Sequence, residues 1–408
     1  MRILYKKYHL GLSMKLPKKF KLPFSIGTPW VENFLQKRAA KLPSSEFLLV
    51  SKKLYKNILK VNEEIASHDL PSNLQLAYVH RNVKTGVFLK PNAKPIKPGT
   101  FIGIYTGLYE LVKGDLCYNT SYAYDVAQEV RLKKEQLSHV IIPSGEKEVL
   151  TTKEDYSIQT NAITMGNFTR FINHSSLKPN IEAIVCKLPE GRIEILLFAL
   201  KKIHPKEQLL SCYGGMYWKA LGIIPDDMEP TTYKLDKLGK ACPCKKTPVL
   251  PAKTKKILTS LRNPLPVIFE DKTNARKVKK WKQSLPLLQA KTKKEIEDFE
   301  EIILERGIPR RFTLSLTKTG FRVFLQKDAK KIRKKEFIGV LAGTITLKEN
   351  PFIENGEENF LNRIRQNKKA NTEITLFYDE DTDTVYPVVF ALEEILPGQE
   401  ITLKNLAF

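Results

Sequence analysis

The chain has 408 residues, 42% of them hydrophobic and 9% aromatic, which excludes wholesale disorder and leaves room for two or three domains. No apolar run approaches the roughly 18–20 residues of a membrane helix, and five cysteines, odd in number and sparse, suit a reducing compartment better than a disulfide framework. The net charge of +24 is uneven, with +9 over residues 1–80, +5 over 81–240, +13 over 241–294 and −3 over 295–408.

In chain order, residues 1–76 read as a basic arm and helical lead-in. The opening "MRILYKKYHLGLSMKLPKKF" has apolar stretches too short for a cleavable signal peptide. The expected location is therefore cytoplasmic or nuclear, or outside the cell by a route that needs no such signal. "TGVFLKPNAKPIKPGTFIGIYTG" (85–107) reads as two strands around a turn rich in Pro and Asn. "GNFTRFINHSS" (166–176), followed by "KPN", sets Asn173, His174 and two Ser against an apolar frame of Phe168, Phe171 and Ile172. "GGMYWKALG" (214–222) starts a helix. Residues 223–307, mixing Pro with Lys runs, read as a basic linker with a helical piece. Such runs are either solvated surface or an electrostatic footprint for nucleic acid or anionic membrane.

Two blocks recur downstream in the same order. "FRVFLQKDAKKIRKKEFIGVLAG" (321–343) matches 85–107 without a gap, sharing Val87/Val323, Phe88/Phe324, Ile96/Ile332, Phe101/Phe337 and six further positions. "YPVVFALEEILPGQEIT" (386–402) matches "ILLFALKKIHPKEQLL" (195–210), with Phe198, Ala199, Leu200, Ile203 and Pro205 returning as Phe390, Ala391, Leu392, Ile395 and Pro397. Ordered blocks on both sides of a linker predict an internal duplication.

The first copy resembles the SET domain of protein lysine methyltransferases. The resemblance rests on the 85–107 block, on "GNFTRFINHSS" with "KPN", and on "KEQLLSCYGG" (206–215), an ordered set over roughly residues 77–218. It implies an α+β, strand-rich SET-type fold with a pseudoknot, duplicated and preceded by the basic arm. The implied domains are the arm at 1–76, a catalytic SET domain at 77–222, the linker at 223–307 and a degenerate SET-like domain at 308–408. The implied reaction is methyl transfer from S-adenosyl-L-methionine to a lysine side chain of a protein, with histone-like proteins as one substrate class.

By motif, Tyr213 is then the catalytic hydroxyl and Tyr105 lines the lysine channel. Asn173 and His174 hold the cofactor, and Tyr122 of "YAYDV" with Lys84, Thr85 and Gly86 completes its pocket. The residue types suit the task. Methyl transfer is an in-line displacement, so the protein chiefly positions and desolvates. Departures from the family pattern are Lys84 in place of Gly, Ile104 before Tyr105, Asn161 for Asp, Cys212 before Tyr213 and a non-aromatic Ser211. For metal the expectation is none. Cys242 and Cys244 supply two ligands, Ser176 occupies the signature position, and two ligands cannot close a tetrahedral zinc site. Tyr217 and Trp218 either cover the adenine or pack into a core.

In the second copy Arg365 and Gln366 stand for Asn173 and His174, and Asn405 for Tyr213. That copy is expected to be inactive. The competing reading is a non-catalytic protein in which both copies are relics and the basic arm and linker bind nucleic acid or another acidic partner.

Overall fold

A computed structural model describes residues 18–41, 48–80, 84–113, 122–141, 150–176, 178–220, 224, 233–244, 252–262, 268–269, 275–317, 320–342, 344–346, 352–354, 359–367 and 369–404. The start of the arm, Cys117 and Asn405 lie outside these residues. The chain divides into two compact units, one drawn from residues 1–213 and 229–247, the other from 214–228 and 248–408. The sequence boundaries fall elsewhere, because hydrophobic contacts and not charge runs decide which segments travel together. Residues 233–244 return to the first unit as a hairpin whose buried Leu235 packs with Ala77, Val79 and Phe88.

The first unit opens with helices α1 (Pro29–Lys41) and α2 (Lys52–His68). Ser51 caps α2 by accepting from the Leu54 amide, and Asp69 ends it in the left-handed region at φ 73°. Ile58, Asn62 and Ile65 share its buried face at helical spacing. The lead-in is thus part of the fold, and so is the segment before it. The Ile26 amide donates to the Gly107 carbonyl, and the Tyr109 amide donates to that of Ile26. The Ser25 amide donates to the fully buried Glu194 carboxylate.

Strands follow as β1 (Leu74–His80), β2 (Lys84–Leu89), β3 (Phe101–Tyr105), β4 (Leu108–Lys113), β5 (Ala123–Val130), β6 (Tyr156–Asn161), β7 (Asn173–His174), β8 (Ile181–Lys187), β9 (Ile193–Ala199) and β10 (Leu210–Ser211). β1 pairs with β2, and β6 lies between β4 and β5. The largest sheet runs β3-β9-β8-β10-β7. In it β10 pairs in parallel with both β7 and β8. This placement of a late strand between two earlier ones is compatible with the expected threading. The 85–107 block does supply two strands, but they pair with other partners and not with each other.

The second unit contains α3 (Gly215–Ala220), α4 (Ala275–Lys282), α5 (Ala290–Arg306), β11 (Phe312–Thr317), β12 (Gly320–Leu325), β13 (Phe337–Val340), β14 (Arg365–Gln366), β15 (Thr372–Asp379), β16 (Thr384–Ala391) and β17 (Thr402–Leu403). The end of the expected linker is not a spacer. In α5, Ile296, Phe299 and Ile303 are buried in this unit's core beside Phe312 and Phe360. α3 joins it there, its Gly215 amide donating to Glu301 Oε1 at 2.6 Å. Tyr217 and Trp218 therefore belong to the second unit.

Its sheet runs β13-β16-β15-β17-β14, the same order with the same parallel insertion. The registers coincide as well. Leu210 faces Asn173 and Thr402 faces Arg365, each at the alignment offset. Two buried asparagines recur with their bonds. Asn167 Nδ2 donates to the Ile104 carbonyl and Asn359 Nδ2 to that of Val340. Asn180 bonds the Gln208 carbonyl and the Leu210 amide, as Asn371 bonds the Glu400 carbonyl and the Thr402 amide. This arrangement is compatible with the expected internal duplication. Among the described residues no helix is long and apolar enough to cross a membrane.

Each asparagine satisfies one buried donor and one buried acceptor, and stranding them costs about 1–3 kcal/mol. Asn180→Ala should destabilise the first unit, and Asn371→Ala the second, by that amount in urea unfolding. A second expectation concerns pH. Burial pushes the Glu194 carboxyl up to about 7, outweighing attraction by Arg192 and the Ser25 donors. A raised carboxyl favours the fold while protonated. Its contribution, about 3 kcal/mol at full extent, is complete below pH ~4.5 and is lost as pH rises through ~7. Glu194→Gln should flatten that part of the first unit's melting-temperature profile between pH 5 and 8.

Candidate functional site

The signature segment begins at a short 3-10 turn, Phe168–Phe171, capped by Asn167 Oδ1 accepting from the Thr169 amide. The turn buries Phe168 and Thr169 and hands the chain to β7. Its polar residues divide by environment. Asn167 and Asn180 are buried with their bonds made, so they are framework. Asn173 and His174 are half-buried on β7.

Asn173 Nδ2 donates to the Thr85 carbonyl at 3.1 Å, tying β7 to β2. Gly86 lies at that junction, with no room for a side chain. An added Cβ would stand 2.5 Å from Gln208 Nε2, 2.8 Å from Val79 Cγ2 and 3.0 Å from Asn173 Nδ2. Lys84 starts β2 exposed, with φ 65°. The backbone here keeps the left-handed conformation that glycine takes more easily.

Tyr213 meets the same strand from the other side. Its amide donates to His174 Nδ1 at 3.1 Å, its hydroxyl donates to the Ile172 carbonyl at 2.5 Å, and its ring lies 5.3 Å from that of His174. Because Nδ1 accepts, the neutral imidazole carries its hydrogen on Nε2. His174 is thereby committed to holding the Tyr213 backbone and is not placed as a general base.

The remaining expected residues form a second group. The Tyr105 hydroxyl donates to the Tyr122 carbonyl at 2.8 Å. The Tyr122 ring lies against the Arg170 guanidinium, 4.2 Å from its centroid, while Phe20 and Phe171 flank the same cation. Tyr124, which sequence reading passed over, neighbours both groups. Its ring is 5.1 Å from that of Tyr105, and the Ser211 side chain, on the strand that pairs with His174, works against the rise of its phenol pKa. Burial pushes the Tyr124 phenol up, which keeps it neutral. The available signal was the tyrosine spacing in "YAYDV": residues two apart share a strand face. Gln208 was also missed. It is buried, with its amide against Gly86.

Cys242 and Cys244 are both exposed. Among the described residues no group of three His, Cys, Asp or Glu side chains could hold a metal ion. The donor set does suit a zwitterionic nucleoside. Asn173 gives its N–H to Thr85, which leaves its amide oxygen to accept.

The SET-domain family model matches residues 92–214, and this segment of the chain is a SET domain. The matched span contains Tyr105, Tyr122, Asn173, His174 and Tyr213, whereas Lys84, Thr85 and Gly86 lie just before it. The family is generally associated with protein lysine methyltransferases. None of the curated proteins compared matches the chain.

Overpacking of the kind that Gly86→Ala imposes costs about 1–3 kcal/mol. Gln208 can swing aside but Val79, on the facing strand, cannot. The variant should unfold earlier in urea by that amount.

Proposed function

We propose that the first unit transfers a methyl group from S-adenosyl-L-methionine to the side-chain amine of a protein lysine. The observation that carries this reading is the convergence on β7. One strand fixes Asn173 to Thr85 at the start of β2 and, through His174, fixes the backbone of Tyr213. Thr85, Gly86 and Asn173 would hold the cofactor, with Lys84 at the rim and His174 behind. The cofactor supplies a methyl group on a sulfonium, activated for in-line displacement.

The chain's own residues would prepare the amine. Lysine titrates near ~10.4, so it must lose its proton before it can attack. A channel walled by Tyr105, Tyr122 and Tyr124 penalises the ammonium by desolvation. The Tyr213 hydroxyl gives its hydrogen to the Ile172 carbonyl, so toward an incoming amine its oxygen would act as an acceptor. Accepting an N–H of the incoming amine would aim the nitrogen lone pair along the transfer axis. Tyr105 is held rigid by the Tyr122 carbonyl and stiffens the wall.

The second unit is read as a degenerate copy serving as scaffold. It repeats the sheet and the buried asparagines, but exposed Arg365 and Gln366 stand in place of Asn173 and His174. Histone-like proteins remain the substrate class proposed. A chain at +24 repels a basic tail, and such a tail would be met more easily on a polyanion that screens both.

The test is methyl transfer from labelled cofactor to protein extract, with cofactor binding measured by calorimetry. Tyr213→Phe should lower the rate roughly 10²–10³-fold and leave cofactor affinity within about twofold. Asn173→Ala should weaken cofactor binding roughly tenfold, the scale of one hydrogen bond. Undiminished transfer in both variants would overturn the site assignment. A wild-type chain that bound no cofactor would favour the non-catalytic reading.

A further inference from the structure

The second unit rebuilds one turn of the first with different chemistry. In the first unit the turn after β2 is held by paired bonds between Ile96 and Ile203 and by the Gly99 amide donating to the Ala199 carbonyl. In the second, Ile332 and Ile395 make the same pair and the Lys335 amide donates to the Ala391 carbonyl. The backbone is conserved down to its dihedrals. Gly99 has φ 74° and Lys335 has φ 65°.

Four changes in this turn add a cation, while Asn92 gives way to Asp328, Thr100 to Glu336 and Lys90 to Gln326. Lys331, Lys334 and Lys335 stand where the first turn has Pro95, Pro98 and Gly99, and Lys327 stands where it has Pro91. Proline and glycine are the residues that pre-set such a turn, and a non-glycine residue at positive φ is uncommon. The second turn gives up that pre-organisation and gains four cations. Lys327, Lys330, Lys331, Arg333, Lys334 and Lys335 are all exposed, with Ile332 between them buried in the core and Ala329 packed against it.

Carboxylates nearby offset the group only in part: the six cations of the turn, with Arg311 and Arg322, stand among five carboxylates. Lys331 pairs with Glu394 at 2.8 Å, and Glu336 is engaged by Arg311 and by the Arg333 backbone amide. Asp328, Glu393 and Glu400 complete the acidic neighbours, and Glu400 faces Arg322. Among the described residues the side chains of Lys327, Lys330, Arg333, Lys334 and Lys335 make no ion pair. The same sheet carries a second acidic group at its other end. Asp379, Asp381 and Asp383 lie at the β15–β16 hairpin, tied to Lys293 and Lys282. β16 separates that hairpin from the basic turn by roughly 23 Å at the usual strand rise. The C-terminal residues 295–408 sum to −3, so the positive charge is a local feature within this part of the chain.

We propose that the turn at 327–335 is a docking surface for the phosphate backbone of double-stranded nucleic acid. A row of five unpaired cations on an ordered turn suits repeated phosphates, which lysine binds as point charges. A membrane surface would also be expected to find apolar side chains to insert. Among the described residues Leu396 is the large hydrophobic exposed beside the turn, and isolated residues of this kind are ordinary. The site differs from the arm and linker, whose charge is scattered along the sequence. It stands independently of the methyl-transfer reading, because it is measured without cofactor.

The experiment is fluorescence anisotropy of a mixed-sequence 20-base-pair duplex with the full chain, between 50 and 200 mM salt. The variant is Lys330→Gln, Lys334→Gln, Lys335→Gly. Its glycine removes a charge and relieves the positive φ at once, and its melting temperature should not fall. Expected are a roughly tenfold or greater loss of affinity at 50 mM salt and a slope of log K against log salt shallower by about 2–3. The control Lys94→Gln, Lys97→Gln, Lys201→Gln removes equal charge from the corresponding face of the first unit and should change both much less. Three results would overturn the proposal. They are unchanged duplex binding in the turn variant, an equal loss in the control, or a loss confined to vesicles containing phosphatidylserine.

Discussion

The fold of the site depends on one insertion. The two-residue strand Leu210–Ser211 lies in parallel between Asn173–His174 and Ile181, and it holds three parts of the chain in one plane. A strand so short carries few ladder bonds of its own. Buried Asn180 completes the attachment, accepting from the Leu210 amide and donating to the Gln208 carbonyl. With these bonds made, Tyr213 emerges beside His174 in a fixed position. Without them, the backbone entering the site would leave buried polar groups unpaired, at a cost comparable to a sizeable part of a domain's net stability.

That constraint separates framework from function within a single motif. Asn167 and Asn180 are buried, bonded and repeated in the second unit by Asn359 and Asn371. Asn173 and His174 are half-buried, and their counterparts are exposed Arg365 and Gln366. The two sheets share their order because the asparagine bonds and apolar frame are shared. The chemistry proposed for the first unit is then lost in the second by changing side chains the fold does not need. The basic turn at 327–335 shows the converse, a fold kept at some strain while its surface acquires charge.

The N-terminal lead-in also belongs to this construction. Its Ser25, Ile26 and Asn62 tie it to Glu194, to Gly107 and Tyr109, and to the Pro23 carbonyl within the lead-in itself. The charge count over residues 1–80 hid this, because lysines on the outer faces of α1 and α2 outnumber the few polar atoms that make the attachment. In the same way, the +13 segment conceals the start of α5, whose apolar stripe of Ile296, Phe299 and Ile303 lies just beyond it.

By itself the sequence determined the kind of strand and turn each repeated block makes, the order of the motifs and the residues of β7 proposed to hold the cofactor. These are local matters of residue type and spacing, and they can be read without knowing what lies nearby. Tertiary structure alone decided that Tyr124, and not only Tyr122, packs with Tyr105, and that His174 spends its Nδ1 on the Tyr213 backbone. It also decided that residues 233–244 return to the first unit. Each of these depends on a contact between segments distant in sequence, and the free energy of such a contact belongs to neither segment alone.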